Sequence, residues 1–258
     1  MKVKWLTWLV VGGLAIAACT SAPTTTSEPP TLAPAPSTPT EAAPPATPTP
    51  EDSAPREVTF QTEDGITLGG TLFGQGTVGV VLLHMLPTNQ TSWHDFAEIL
   101  AENGYMALAF DFRGYGKSDG TRQIAQMDGD VRAASGFLKE QGAQQIVLIG
   151  ASMGGTVSAK AAAAVGADGL VVLSSPMRIG SLNVTEDDVK SFQGASLWVV
   201  SEGDRDFVPD INRMHTLANE PKTLHVYEGS AHGTDIFGTA RAEELRQEIL
   251  DFLSSLGG

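Results

Sequence analysis

Residues 78–83, Val78-Gly79-Val80-Val81-Leu82-Leu83, carry no polar side chain, and similar short runs recur along the chain. They are Tyr105-Met106-Ala107-Leu108-Ala109-Phe110, Ile146-Val147-Leu148-Ile149, Gly169-Leu170-Val171-Val172-Leu173, Leu197-Trp198-Val199-Val200 and the more mixed Thr223-Leu224-His225-Val226-Tyr227. A strand with one face in water alternates apolar and polar residues. A continuously apolar run predicts a strand covered on both faces, as in a parallel sheet. Residues 92–103, 127–141, 153–165, 209–218 and 239–256 lie between or after these runs and have helical spacing. This alternation predicts an α/β domain with a mainly parallel sheet and right-handed crossovers. Two alternating stretches, 57–62 and 66–73, flank Glu63-Asp64-Gly65 and predict an antiparallel hairpin at one edge.

The domain begins near Arg56, because what precedes it cannot form a core. Residues 1–18 carry Lys2 and Lys4, then an apolar run from Trp5 to Ala18 with no acidic residue, the layout of a secretory signal peptide. The run is short for a membrane span. It ends in Ile16-Ala17-Ala18-Cys19, which resembles a bacterial lipobox and implies lipidation of Cys19 with cleavage just before it. Cys19 is the sole cysteine, so it has no internal disulfide partner. Residues 20–55 are mostly Pro, Thr, Ala and Ser and hold 11 of the 15 prolines. Proline removes backbone donors and favours extended geometry, so residues 19–55 are expected to form a lipidated, disordered stalk up to about 110 Å long when extended. The expected product is an exported lipoprotein whose domain, 56–258, lies outside the cytoplasm.

A net charge of −14 and the lack of any basic cluster argue against a nucleic-acid partner, which would require phosphate neutralisation. The five histidines are scattered without metal-ligand spacing, and no cofactor or metal is expected.

In sheets of this kind ligands sit beyond the carboxyl ends of the strands. Directly after Ile149 comes Gly150-Ala151-Ser152-Met153-Gly154, a G-x-S-x-G pattern between an expected strand and an expected helix. In a chain with 28 glycines the match alone is weak. A serine hydroxyl near neutral pH also needs an imidazole to take its proton and a carboxylate to orient that imidazole. Asp204 and Asp206 follow the run ending at Val200, and His232 follows the last run, in the order serine, acid, histidine.

With these residues in place, the sequence from Val58 to Leu256 resembles the α/β-hydrolase family. Asp111-Phe112-Arg113-Gly114-Tyr115-Gly116-Lys117-Ser118 resembles that family's D-x-R-G-x-G-x-S turn, and His84-Met85-Leu86-Pro87 resembles its H-G-x-P loop. The resemblance implies Ser152 as nucleophile, His232 as general base and then general acid, and an aspartate as orienting acid. The family spacing prefers Asp206, with Asp204 the alternative. It also implies backbone oxyanion donors at Met153 and Leu86. Met85 replaces the family's usual glycine, which puts the path of that loop in question and offers a side chain that could narrow the acyl pocket. His84 reads as a loop-orienting donor. His94, His215 and His225 read as surface or packing residues, Asp111 and Arg113 as turn-fixing residues, and Ser174 and Ser175 as ordinary loop residues.

About twenty residues separate Ser175 from Ala195, room for only a brief helix where many family members carry a cap. An open site is expected. It suits carboxylic esters with a small or exposed acyl part, a substrate range like that of compact bacterial esterases and dienelactone-hydrolase-like proteins. A thioesterase, an acylaminoacyl-type peptidase or a non-catalytic binding protein would use the same scaffold.

Overall fold

A computed structural model describes residues 54–257. The expected signal peptide, Cys19 and nearly all of the expected stalk lie outside them. Arg56–Gln61 (β1) and Thr67–Phe73 (β2) form the expected hairpin. Val78–Leu83 (β3), Met106–Phe110 (β4), Gln145–Ala151 (β5), Gly169–Leu173 (β6), Ala195–Ser201 (β9) and Lys222–Tyr227 (β10) are the apolar runs. The sheet order is β1-β2-β4-β3-β5-β6-β9-β10. Every pairing from β4 to β10 is parallel, while β2 runs antiparallel to both β1 and β4.

The continuously apolar runs are two-faced, as their composition requires, whereas the mixed edge strand β10 leaves Thr223 and Val226 exposed. Val81, Leu83, Ile146 and Leu148 point into one core, Val80, Leu82, Val147 and Ile149 into the other. On the first face lie Met127–Glu140 (α2), Met153–Val165 (α3), Glu186–Ser191 (α4) and Val208–Leu217 (α5), through Val131, Val157, Val189 and Met214 among others. His94–Glu102 (α1) and Ala242–Ser255 (α6) cover the second, through Phe96, Leu100, Leu245 and Ile249. Burying each such side chain contributes roughly 1.5–3 kcal/mol, so continuous apolarity stabilises a sandwiched strand twice over.

The segment between β6 and β9 holds a two-strand ribbon, Arg178–Ile179 (β7) with Leu182–Asn183 (β8), followed by α4. Thr185 and Asp188 form a capping box at the start of α4, which stabilises so short a helix. This is the brief insertion that the length allowed, with no separate cap domain. α1 and α3 leave the adjacent strands β3 and β5 toward opposite faces, so the chain turns opposite ways at the carboxyl edge of the sheet, where ligands bind in open α/β sheets.

Candidate active site

Ser152 stands at φ 49°, ψ −115°, between the end of β5 and the start of α3. A left-handed φ at a residue with a side chain costs about 1–3 kcal/mol and persists only where surroundings fix it. Here they do. The Ser152 N–H donates to the Leu173 carbonyl at 2.8 Å and its carbonyl accepts from the Thr156 N–H at 3.0 Å. Close approach explains the flanking glycines. A Cβ at Gly150 would lie 2.4 Å from the Gly154 oxygen, and one at Gly154 would lie 2.1 Å from the Leu83 oxygen. The first turn of α3 therefore rests on the ends of β5 and β3, and Ser152 remains 7% exposed.

His232 sits on the loop after β10, and its Nδ1 is 2.8 Å from Oδ2 of Asp204. The imidazole side chain is 25% exposed and the carboxylate 10%. Gly233 ties this loop to the elbow, since a Cβ there would lie 3.2 Å from Ala151 Cβ and 3.9 Å from the Ser152 nitrogen. The Ser201 hydroxyl adds a hydrogen bond to the Ala231 carbonyl at 2.7 Å. The loop bearing the histidine is thus fastened to the end of β9 and to the serine's strand.

The preference for Asp206 is corrected by this geometry: Asp204 is the carboxylate on the imidazole. The reason is local. The Phe207 N–H donates to the Asp204 carbonyl at 3.0 Å, folding residues 204 to 207 into a tight turn. Asp204 stands at the inner side of that turn and Asp206 is exposed. The family spacing counts residues from a glycine and does not register how tightly the turn closes.

Met153 is the first residue of α3, where an amide N–H has no intrahelical acceptor. In the loop after β3 the Met85 carbonyl accepts from the Thr88 N–H at 3.1 Å and the Thr88 hydroxyl at 2.9 Å, and lies 3.0 Å from His84 Nδ1. Its oxygen is committed to the inside of the loop. Across a trans peptide plane the Leu86 N–H then points the opposite way, outward from the loop. Met85 itself is buried, and its sulfur would lie 2.8 Å from a Cβ on Gly233. Its side chain fills the space between the two loops, so it supports the histidine loop.

His84 is fully buried. Its Nε2 accepts from the Phe112 N–H at 3.3 Å, which places the ring proton on Nδ1, facing the Met85 carbonyl. Burial lowers its pKa below the usual histidine value, in keeping with a neutral ring that orients a loop. Asp111 accepts from the Gln90 N–H, the Gln90 amide and the Lys117 N–H, each at 2.9 Å. Arg113 donates to Asp130 at 2.8 Å and to Asp64 at 2.8 Å, and holds the exposed Asp64 down at about 2. Both residues fix their turn. His94 packs on the Phe73 ring, His225 pairs with Glu248, and His215 lies in α5, none of them against Ser152 or Asp204.

Sequence reasoning missed Ser174. It is the other non-glycine residue with positive φ among those described, at 47°, fully buried, with its hydroxyl unpartnered. Its N–H donates to the Val199 carbonyl at 2.8 Å while the preceding Leu173 carbonyl takes the Ser152 N–H. The end of β6 therefore bridges the strands that deliver Ser152 and Asp204. No sequence signal marks this, because a serine can adopt the bend without flanking glycines.

A family described as "Serine aminopeptidase, S33" matches residues 77–203, a span that holds the loop after β3, the elbow and the end of β9. Epoxide hydrolase B of Mycobacterium tuberculosis is 38% identical over 84 residues, 31% of this chain and 23% of that protein, so the match spans less than a quarter of that relative. An uncharacterized protein of the same organism is 28% identical over 205 residues, 69% of this chain and 73% of its own length. Among solved structures, the esterase Pf2001 of Pyrococcus furiosus superposes with a TM-score of 0.69 at 21% identity, over 81% of this chain and 95% of that one. A thermophilic esterase from Thermogutta terrifontis gives 0.66 at 17% identity, over 78% and 99%. Sheet order, edge hairpin, strand-to-helix elbow and these superpositions agree: the chain has the α/β-hydrolase fold.

Proposed function

We propose that the protein is a serine hydrolase that cleaves carboxylic esters through an acyl-enzyme, with Ser152, His232 and Asp204 as its triad. The observation that carries this reading is a strained serine, 7% exposed, on an elbow whose neighbouring loop holds a histidine already paired with a part-buried carboxylate. Asp204 holds the Nδ1 proton, leaving Nε2 as the base. Ser152 Oγ attacks the ester carbonyl as His232 takes its proton. The tetrahedral oxyanion accepts hydrogen bonds from the Met153 and Leu86 N–H groups, preorganised donors of the kind worth several kcal/mol in such reactions. His232 then protonates the departing alcohol, and water, deprotonated by the same imidazole, releases the acid.

The short β6–β9 insertion supports an open site and esters with a small or exposed acyl part. On p-nitrophenyl esters of rising acyl length, kcat/KM is expected to peak at short chains. Turnover restricted to long chains would contradict the open site. The family match favours a second reading, an aminopeptidase-like amide hydrolase on the same triad. Preference for amino-acyl p-nitroanilides over the matching esters would select it.

We further propose that the domain is tethered to a membrane by a lipid on Cys19, at the end of an exported stalk. Cys19→Ala is expected to move most of the protein from the membrane fraction to the soluble fraction. Unchanged retention would contradict the anchor.

A further inference from the structure

The turn that carries Asp204 also carries Phe207. Phe207 and Val208 N–H groups both donate to the Asp204 carbonyl, at 3.0 and 3.3 Å, closing the turn onto the start of α5. That closure sets the Asp204 carboxylate on Nδ1 of His232 and the Phe207 ring against the same imidazole, with centroids 4.2 Å apart and planes inclined by 41°. Phe207 itself is partly exposed.

We propose that Phe207 is a positioning residue for His232, confining the imidazole that Asp204 holds at one nitrogen and stabilising the charge it acquires. The proposal rests on the reading of His232 as general base. A single hydrogen bond fixes Nδ1 but leaves the ring free to pivot, and the terminal torsion of histidine is broad. A second contact from the same rigid turn removes that freedom. The imidazole also becomes a cation in each half of the cycle, and an aromatic ring within about 6 Å favours a cation. Both effects act in the same direction. Among the described residues Phe207 is the one aromatic ring against His232, so no other supplies them.

Leucine fills similar space without a π face, and tyrosine keeps the face. In the full-length chain the Nδ1 proton of His232, shared with Asp204, is expected to give a downfield NMR resonance, assigned by its loss in His232→Ala. Phe207→Leu is expected to speed its exchange with water at least about fivefold and to lower kcat on p-nitrophenyl acetate about 3- to 30-fold with little change in KM. Phe207→Tyr is expected to restore both, and Phe207→Met replaces the leucine variant if that fails to fold. Parental exchange in the leucine or methionine variant, or a tyrosine variant that behaves like leucine, overturns the proposal. The exchange measurement needs no turnover, so a chain that hydrolyses no ester would refute the enzyme reading while leaving the role of Phe207 separately measured.

Discussion

Asp204→Asn is expected to lower kcat on short-chain esters by roughly a thousand- to ten-thousandfold, while Asp206→Asn leaves it within about twofold. The carboxylate at 2.8 Å from His232 Nδ1 does two things. It keeps the ring proton on Nδ1, so that Nε2 is free to accept the Ser152 proton, and it stabilises the imidazolium that follows. Asparagine has nearly the same shape but can offer its amide N–H₂ to Nδ1, which favours the wrong tautomer and carries no charge. Stability should change little in either variant, because the turn is held by main-chain bonds to the Asp204 carbonyl, which the substitution keeps. The exposed Asp206 serves as the matched control. Equal losses at both positions, or the larger loss at Asp206, would contradict the pairing.

Ser152→Ala is expected to abolish measurable turnover, with kcat reduced about ten-thousandfold to a millionfold. Alanine keeps the Cβ and its left-handed φ, so the fold and the bend should persist with the nucleophile gone. Ser152→Gly should be equally inactive yet more stable by about 1 kcal/mol, since glycine adopts φ 49° without the steric cost. Urea denaturation of the three proteins checks this. A glycine variant that is less stable than the parent would mean that the elbow stores no strain. The expected pattern is the usual exchange of stability for activity at a strained site.

Most of the fold was legible because the apolar runs could be satisfied in only one way. Each continuously apolar run needed a cover on both faces, and the helical segments supplied it, so strands and helices fall within a few residues of their expected ends. The insertion was less legible. β7 and β8 are two residues each, too short for any periodicity, and α4 depends on the Thr185–Asp188 capping box more than on an apolar stripe. At the site, Ser152 stood out by its G-x-S-x-G pattern behind an apolar run, and His232 as the histidine in the loop that follows the last run. Asp204 was harder to separate from Asp206, since the choice depends on main-chain hydrogen bonds within one turn. The support given by Met85, Ser174 and Phe207 was hidden for a similar reason. Each acts through a contact with a residue far away in sequence, and a linear pattern of residue types carries no record of such contacts.

A fluorophosphonate reacts covalently with an activated serine nucleophile, so it reports on Ser152 itself. The full-length chain would be treated with the reagent and the adduct located by peptide mass spectrometry. A single phosphonylated residue at Ser152 is expected, with labelling lost in Ser152→Ala and strongly slowed in His232→Ala. A folded parent protein that stays unlabelled, or that is labelled equally well after Ser152→Ala, would mean that Ser152 is not an activated nucleophile.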